Sequence, residues 1–455
     1  MTLQVSPGLS PAQRLAAAIA ASEMAVYVYS YPSKRAYRPF DDGTTLEQIW
    51  SGLTGPINLY VHVPFCGYRC SFCTLFLTTS HGEDLRARYV DALVRQVRMY
   101  GRMLGRVEVV SLYVGGGTPT ILEPREFERL FAALREVFPA WRAGGEISVE
   151  GSPDTMRRDL LAALKALGVN RVSMGLQTLD PAEALRAGRR YGIDAVRAAV
   201  DGIQAIGFDN VNYDLIYGLE GQTRDSWLRS LHETMGFGPQ TVTLYPVVLR
   251  PLTAIARQQT LRGDRFLENA SKYAIYDESV DCLSARGFQQ NSVVRFSRCE
   301  ADGLRQEASD FAGTPLIGFG AGSRSYSPGV HYSTDFAVRR RPTEEIIAAF
   351  IEHEARPGDV PSLGFVLGLE ERKRRHCILN LSLGHLDSVA YERRFHSRPG
   401  DDFGAELAAL EAEGCVACVA DGYRLTRKGF KYSSVIATLF TSDVVRQLET
   451  DYVPA

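Results

Sequence analysis

The alternation of short β-branched segments with longer helical segments is the feature that most limits how this chain can fold. Six segments have the composition of buried strands: Asn58–Phe65, Val109–Val114, Glu146–Gly151, Arg171–Gln177, Asn210–Gly218 and Thr241–Leu249. Between them, apolar residues recur three and four positions apart, as at Phe127, Leu130 and Leu134, which is the spacing of amphipathic helices. Strands that alternate with helices pair in parallel, so the pattern predicts an α/β fold, a partial (β/α)6 TIM-like barrel.

The alternation stops after about Asn291, and this change divides the chain. We expect four parts: an N-terminal helix with an aromatic and basic arm (1–55), the barrel (56–300), a glycine-rich connecting segment (301–345) and a C-terminal helical or winged-helix domain (346–455). In the last part, the charged run Glu371–His376 is predicted to be a solvent-exposed helix face, as such runs usually are.

Composition excludes several classes of protein. The 455 residues are 45% hydrophobic and 23% charged, with a formal net charge of −2, which is ordinary for a globular protein and gives no nucleic-acid footprint. The sequence contains no run of eighteen apolar residues and no signal-peptide pattern. We therefore expect no nucleic-acid partner, no membrane association and a cytoplasmic location.

Three of the eight cysteines stand together directly after the first predicted strand. Cys66, Cys70 and Cys73 have the spacing C-x3-C-x2-C, and thiolates suit iron–sulfur clusters or zinc. Three thiolates on a [4Fe–4S] cluster leave one iron open to chelate the methionine end of S-adenosylmethionine (SAM), whose reductive cleavage gives a 5′-deoxyadenosyl radical. The alternative is a zinc site with His62 or His81 as a distant fourth ligand.

The other five cysteines are predicted to be structural. Cys282, Cys299 and Cys377 stand alone, and Cys415 and Cys418 form a late CxxC. That pair could be a redox pair or a second metal site, but buried cysteines commonly behave as small apolar residues.

Polar candidates fall at the ends of successive strands, where ligands bind in parallel βα folds. Gly115–Pro119 follows the second strand, Glu150 ends the third and Gln177 ends the fourth, while Asp214 lies in the fifth. Glycines allow close backbone approach, and a carboxylate can accept from both ribose hydroxyls. Arg189 can pair with a carboxylate; alternatively, the glycines are a simple turn, and Glu150 and Arg189 form a structural ion pair.

The sequence resembles the branch of the radical SAM superfamily related to oxygen-independent coproporphyrinogen III oxidase. The resemblance rests on five motifs: Leu59–Cys66 (LYVHVPFC), Gly115–Thr120 (GGGTPT), Ile147–Glu150 (ISVE), Arg171–Gln177 (RVSMGLQ) and Asn212–Leu219 (NYDLIYGL). It implies cluster ligation by Cys66, Cys70 and Cys73.

The resemblance also implies a set of SAM contacts: Tyr60, Phe72, Gly116, Gly117, Thr118, Glu150, Gln177, Arg189 and Asp214. In this branch Tyr60 is the candidate catalytic residue, because it matches a tyrosine that reaches SAM beside the cluster. Some members hold a second SAM, and Tyr60 lies where the two molecules would meet. The implied partners are a small-molecule substrate and an external electron donor of the flavodoxin or ferredoxin type.

Two departures separate the chain from the decarboxylating oxidases. Leu75 occupies the position of their further cysteine, and the sequence shows no basic cluster for a substrate with several carboxylates. The arm Tyr27–Arg38, with Gly318–Tyr326, is similar to class C radical SAM methylases and cyclopropane-forming enzymes. We therefore expect transfer of a SAM-derived methyl or methylene group to an unsaturated carbon of a natural product, using two SAM, with a partner methyltransferase as one way to finish the reaction.

Two other functions are kept as alternatives. One is oxidative decarboxylation of a porphyrinogen-like propionate, and the other is a heme-binding chaperone. None of His232, His331, His376 and His396 stands out as an axial heme ligand. The aromatic arm is expected to be either a packed strap over the bottom of the barrel or a substrate lid.

Overall fold

The computed structural model describes residues 9–22, 24, 27–40, 42–249, 253–261, 266–337 and 340–452. The strands are β1 (Ile57–Val63), β2 (Glu108–Gly116), β3 (Ala140–Gly151), β4 (Arg171–Gln177), β5 (Asn210–Tyr217), β6 (Thr241–Pro246), β7 (Gln289–Gln290), β8 (Arg295–Ser297), β9 (Leu316–Phe319), β10 (Arg324–Tyr326), β11 (Val330–Ser333), β12 (Leu363–Val366), β13 (His385–Asp387), β14 (Val416–Val419) and β15 (Gly422–Leu425).

The helices are α1 (Pro11–Ala20), α2 (Leu46–Trp50), α3 (Glu83–Leu104), α4 (Pro124–Val137), α5 (Arg158–Ala166), α6 (Pro181–Arg186), α7 (Ile193–Ile206), α8 (Arg224–Gly236), α9 (Ala254–Leu261), α10 (Asn269–Ala285), α11 (Arg305–Ala312), α12 (Arg340–Glu352), α13 (Leu369–Ser382), α14 (Ser388–Phe395), α15 (Pro399–Ala412), α16 (Arg427–Lys431), α17 (Ser433–Phe440) and α18 (Asp443–Thr450).

The predicted partial barrel is confirmed. Strands β1 to β6 lie side by side in chain order, and each pairs in parallel with the next. The side chains that point outward from these strands are mostly apolar and pack against helices such as α4 and α5. Val172 and Val242 are two fully buried examples. The helices that connect the strands cover one face of the sheet, so the other face forms the interior of the barrel.

The sheet continues beyond the alternating region, where the sequence predicts a connecting segment. The order of the large sheet is β12-β11-β10-β9-β1-β2-β3-β4-β5-β6-β8-β7, and β9 pairs with β1 in parallel. Strand β9 is not predicted from the sequence, because Gly318 interrupts its apolar pattern. A Cβ at Gly318 would lie 2.1 Å from the carbonyl oxygen of Arg324, so glycine permits the tight return into β10.

A second apolar core joins the two ends of the chain. Leu15 of α1 is buried with Leu407 and Leu410 of α15 and Phe440 of α17. A small antiparallel sheet, in the order β13-β15-β14, completes this unit. The C-terminal part is therefore mostly helical, as predicted, and the N-terminal helix packs into it.

The charged run in α13 is not a solvent-exposed face, so that prediction is wrong. Arg375 and His376 are 7% and 5% exposed, and Arg375 donates to Asp310 Oδ1 over 2.8 Å. Lys373 pairs with Asp402 over 2.7 Å. A run of charges usually marks solvent, but here α13 packs between α11 and the C-terminal helices, and charged partners on those elements compensate the burial.

The late cysteines fit the structural interpretation in part. Cys377 and Cys415 are fully buried, but Cys418 is exposed. Cys415 directly precedes β14 and Cys418 lies within it. Residues three positions apart on an extended backbone point to opposite faces, which separates the two sulfurs. Among the described helices, none combines the length and apolarity that a bilayer crossing needs.

We predict that Leu15→Ala lowers the free energy of unfolding by about 2–5 kcal/mol, because it leaves a cavity in the second core. The control is Leu185→Ala, whose side chain is 76% exposed and whose loss should cost less than about 0.5 kcal/mol. Urea unfolding of the two variants makes the comparison, and equal effects would contradict the packing of α1 against the C-terminal helices.

Candidate SAM and iron–sulfur site

The cysteine loop leaves β1 at the carboxyl edge of the parallel strands, which we call the mouth. Backbone hydrogen bonds fix the loop from two sides. The amide of Cys66 donates to the carbonyl of Thr78 over 3.0 Å, and the amide of Ser71 donates to the carbonyl of Ala187 over 3.0 Å. The three thiols are therefore held on a fixed frame at the mouth.

The surroundings of the thiols fit a metal cluster. Burial raises the pKa of Cys66 to about 12 and that of Cys73 to about 11. Buried thiols of this kind keep their protons unless a positive metal centre replaces them. The Thr118 hydroxyl lies 3.1 Å from Cys66 Sγ, and the Arg189 guanidinium lies 3.6 Å from Cys70 Sγ, so both groups would stabilise thiolates at these positions.

The zinc alternative lacks a fourth ligand. His62 uses both ring nitrogens, on the Tyr60 hydroxyl and the Phe76 carbonyl, each over 2.9 Å. His81 donates to the Cys66 carbonyl over 3.2 Å. Across the described residues, no three His, Cys, Asp or Glu side chains converge on one ion. In a [4Fe–4S] cluster each cysteine thiolate binds a different iron, so the three sulfurs do not have to converge on one metal ion.

Tyr60 is held at the mouth by His62 in a defined protonation state. Burial lowers the pKa of His62 to about 4, so its ring is neutral at pH 7. The Phe76 carbonyl can only accept, so His62 Nε2 carries the proton and Nδ1 is the acceptor. The Tyr60 hydroxyl therefore donates to His62, while its ring stacks on Tyr113 at 6.2 Å between centroids. Its oxygen remains able to accept.

The glycine motif after β2 runs directly against the cysteine loop. The amide of Gly117 donates to Val63, and that of Thr118 donates to Phe65, each over 2.8 Å. Gly116 has a φ of +119°, and a Cβ at Gly117 would lie 2.6 Å from the Phe65 carbonyl oxygen. The glycines are thus required by close backbone approach as well as by the turn.

Glu150 points from the end of β3 toward the same glycines. It accepts from the Tyr113 hydroxyl over 2.6 Å and from the Gly116 amide over 3.1 Å. Burial, together with the negative charge of Asp214, raises the pKa of Glu150 to about 7, despite the two hydrogen bonds. A carboxylate this close to its ionisation point can accept from ribose hydroxyls and gains from doing so.

Gln177 and Arg189 approach the mouth from β4 and the loop after α6. Gln177 has a φ of +68°, rare for a side chain of its type, and its buried Oε1 has no hydrogen-bond partner. Arg189 donates to the Gly175 carbonyl and the Tyr191 hydroxyl. It contacts Cys70 and not Glu150, so the alternative of a structural Glu150–Arg189 ion pair does not hold.

Asp214 and Phe72 complete the predicted set. Asp214 Oδ1 accepts from Asn212 over 2.8 Å, and burial raises the pKa of Asp214 above its ordinary range. Phe72 is partly buried in a small apolar cluster with Ile255 of α9. Direct contacts join the cysteine loop to Thr118 and Arg189, and join Glu150 to Gly116, whereas Asp214 and Gln177 line the neighbouring strands.

Several polar residues of the barrel interior are not among those predicted from the sequence. They are inward residues at every second position of the six parallel strands: Asn58; Ser111 and Tyr113; Ser148; Arg171 and Ser173; Asn212; Thr241 and Thr243. The period of two is visible in the sequence and could have identified them. Arg171 donates to Ser148 over 3.0 Å inside this set.

The aromatic arm enters the same interior. The Tyr27 ring lies 5.3 Å from the Tyr245 ring, and the Arg324 guanidinium lies 5.3 Å from the Tyr29 ring. Farther along, the Tyr31 hydroxyl donates to Glu371 of α13 over 2.6 Å. The arm is thus packed between the barrel interior and the C-terminal helices, with Tyr27 near the carboxyl end of β6 and not over the barrel bottom.

We predict that Cys73→Ala abolishes cluster binding, because one of the proposed ligands is lost. Wild-type protein reconstituted without oxygen should carry about four iron atoms per chain, and the variant should carry less than one. The exposed Cys418→Ala is the control and should match wild type. Iron analysis and the visible absorption spectrum are the measurements, and zinc without iron in the wild type would refute the assignment.

We predict that Glu150→Gln changes the pH dependence of stability in the absence of SAM. The pKa of Glu150 is about 7 in the fold against 4.5 ordinarily, so ionisation destabilises the fold as pH rises from 4.5 to 7. Glutamine cannot ionise, and the variant should gain about 1–3 kcal/mol relative to wild type between pH 5 and pH 8.

Urea unfolding at pH 5 and pH 8 measures this gain. The control is Glu128→Gln, which changes an exposed residue of α4. A constant difference between Glu150→Gln and wild type at both pH values would contradict the burial of this carboxyl group.

Comparison with known proteins agrees with this geometry. Residues 60–233 match the model of the radical SAM superfamily. An oxygen-independent coproporphyrinogen III oxidase of Bradyrhizobium diazoefficiens is 29% identical, over 66% of this chain and 69% of that protein. The heme chaperone HemW of Mycobacterium tuberculosis is 31% identical, over 60% of this chain and 70% of that protein.

A solved structure gives the same answer for the fold. The coproporphyrinogen III oxidase of Escherichia coli, described as a radical SAM enzyme, superposes with a TM-score of 0.78 at 26% identity, covering 91% of this chain and 96% of that one.

These relatives overturn the expected reaction. Methyl or methylene transfer was inferred from the aromatic arm, but the similar proteins are coproporphyrinogen III oxidases and heme chaperones, so that expectation is wrong. The expected closeness to class C methylases has no support either. The [4Fe–4S] cluster and SAM stand as the cofactors. The chain belongs to the radical SAM superfamily, in the branch of the oxygen-independent coproporphyrinogen III oxidases and HemW.

Proposed function

We propose that this protein is a radical SAM enzyme that decarboxylates a propionate-type side chain of a porphyrinogen-like substrate. The observation that carries the proposal is the structural match to a coproporphyrinogen III oxidase across 91% of the chain, which includes the C-terminal helices as well as the barrel. The proposed setting is cytoplasmic, with an external electron donor of the flavodoxin or ferredoxin type.

The proposed division of labour follows the geometry at the mouth. Cys66, Cys70 and Cys73 would hold the cluster, which when bound supplies the electron that cleaves SAM to a 5′-deoxyadenosyl radical. The glycine motif would receive the methionine amino group, Arg189 its carboxylate and Glu150 the ribose. Hydrogen bonds hold Glu150 and Arg189 in the absence of SAM, which supports the proposal because SAM binding would then cost little reorganisation.

The substrate step balances with one external acceptor. The bound cofactors would supply the radical that removes a hydrogen atom from the propionate carbon next to the ring. The resulting substrate radical releases CO2 and passes one electron to an acceptor, which leaves a vinyl group. Tyr60 faces this region, and we propose that it positions the reacting SAM, or a second SAM at the position where two would meet.

The barrel interior offers cations for a substrate with several carboxylates. The sequence shows no basic cluster, but the fold brings Arg171, Arg295 and Arg324 from distant segments to the polar interior. Arg295 is 7% exposed and pairs with Glu307, and Arg324 lies over Tyr29. Their positive charges support binding of a carboxylate-rich molecule. Leu75, at the position of the oxidases' further cysteine, is 48% exposed and remains a departure.

A heme-binding chaperone is the second candidate, favoured by the 31% identity with HemW of Mycobacterium tuberculosis. His331 and His376 are buried at 3% and 5% exposure, whereas His232 and His396 lie on the surface. Titration of the reconstituted protein with hemin tests this function. A saturable Soret shift at one equivalent would support it, and free-hemin spectra throughout would remove it.

We predict that anaerobic, reduced protein converts SAM to 5′-deoxyadenosine and, given coproporphyrinogen III, releases CO2 in step with vinyl product. Mass analysis of the tetrapyrrole and the nucleoside measures both products. Formation of 5′-deoxyadenosine without any decarboxylated tetrapyrrole would contradict the substrate proposal while leaving the SAM chemistry intact.

We predict that Tyr60→Phe lowers tetrapyrrole turnover by about 100-fold and keeps the iron content and the SAM affinity within a few-fold. The matched control is Tyr213→Phe, a buried tyrosine of β5 that faces the helices, with its ring 6.0 Å from Phe237. The control should retain turnover. Equal losses in both variants would show that Tyr60 contributes to folding alone.

A further inference from the structure

A group of basic side chains between the barrel and the C-terminal helices takes no part in the chemistry above. Five of them line one small cavity: Arg372, Arg375 and His376 of α13, Arg394 of α14 and His331 of β11. We call these residues and the space between them the interdomain basic pocket. Among the described residues that line it, Asp310 is the one carboxylate.

The pocket is far from the mouth along the strands. Thr314, which lines it, lies just before β9, and Tyr326 of its wall pairs with Leu316, the first residue of β9. The cysteine loop follows the opposite end of β1, the parallel neighbour of β9. The pocket is therefore a separate place from the proposed SAM site.

The charges facing the pocket do not balance within the described chain. Arg375 takes the Asp310 carboxylate over 2.8 Å. Arg394 donates to a neutral group, the Ala312 carbonyl, and the buried Nε of Arg372 has no hydrogen-bond partner. Burial and the neighbouring arginines lower the pKa of Arg394 to about 10. Two partly exposed guanidinium groups are thus left without a carboxylate, and both attract an anion to the space between them.

The two histidines add unpartnered polar atoms to the same space. His331 and His376 are 3% and 5% exposed, and neither Nδ1 has a hydrogen-bond partner. Burial, with the positive charge of Arg375, lowers both pKa values, that of His376 to about 4. The rings are therefore neutral, and each can still donate one N–H bond. Aromatic contacts hold them in place, with the His331 ring 4.6 Å from that of Tyr326.

The size of the pocket sets the class of ligand. The pocket is partly open to solvent, and its inner space is about 20 Å³, room for one or two water molecules at about 10–15 Å³ each. A porphyrin or a nucleoside would not enter, but a single charged group would. Guanidinium groups and imidazole N–H donors are suited to oxyanions, which accept several hydrogen bonds at once.

We propose that the interdomain basic pocket binds one small oxyanion, a phosphate or a carboxylate. The anion neutralises the two unpaired guanidinium charges and accepts from the orphaned imidazole nitrogens. Because α13 and α14 belong to the C-terminal part and His331 belongs to the barrel sheet, the bound anion ties the two parts together.

The test compares melting temperatures of the anaerobically reconstituted full chain in sodium phosphate, sodium acetate and sodium chloride at one pH and one ionic strength. Phosphate or acetate should raise Tm by about 2–4 °C above chloride, and the larger rise identifies the class of anion. Arg372→Gln should lose this rise and melt close to wild type in chloride, because it removes a partly exposed guanidinium group that has no carboxylate partner.

Two further variants separate anion binding from a structural role. Arg393→Gln, a neighbouring exposed arginine on α14 that does not line the pocket, should keep the full rise. His376→Phe should lose part of it while keeping the ring contacts with Tyr391 and Phe395, both at 5.5 Å. The proposal is overturned if the three salts give one Tm, or if Arg372→Gln keeps the rise in phosphate and acetate.

Discussion

Two backbone hydrogen bonds hold the cysteine loop against the glycine turn after β2, and the arrangement of the mouth depends on them. They run from Gly117 to Val63 and from Thr118 to Phe65, each over 2.8 Å. A Cβ at Gly117 would lie only 2.6 Å from the Phe65 carbonyl oxygen, so a larger residue would separate the loops. This contact brings the Thr118 hydroxyl within hydrogen-bond distance of Cys66 Sγ. It also leaves the Gly116 amide free to donate to Glu150 at the end of β3.

The interior next to this contact is unusually polar for a barrel core. Arg171 is buried there with the half-buried Asp214 and Glu150, and Arg295 is buried beside the half-buried Glu307. Burying ionisable groups costs free energy unless they are paired or hydrogen-bonded, and hydroxyl and amide neighbours on adjacent strands meet much of this need. An apolar core would be more stable, so the polar interior is explained by the ligands it receives.

The sequence was sufficient for the parallel strands, because β-branched runs, helical spacing and strand-end polar residues agree with one another there. It was insufficient where tertiary contacts override local pattern. Strand β9 carries a glycine needed for close packing, and the basic run of α13 is buried because Asp310 compensates Arg375. The reaction was predicted wrongly from the aromatic arm. Its tyrosines, such as Tyr27, pack in the barrel interior, and such packing does not determine which reaction is catalysed.

The central claim is that one iron of a cluster on Cys66, Cys70 and Cys73 is left open for the methionine end of SAM. Electron–nuclear double resonance of the reduced protein, with SAM isotope-labelled at the amino nitrogen and the carboxylate oxygens, tests it most directly. The account predicts hyperfine coupling of both labels to the cluster, lost when any one of the three cysteines is replaced. A cluster signal that is unchanged by labelled SAM would contradict it.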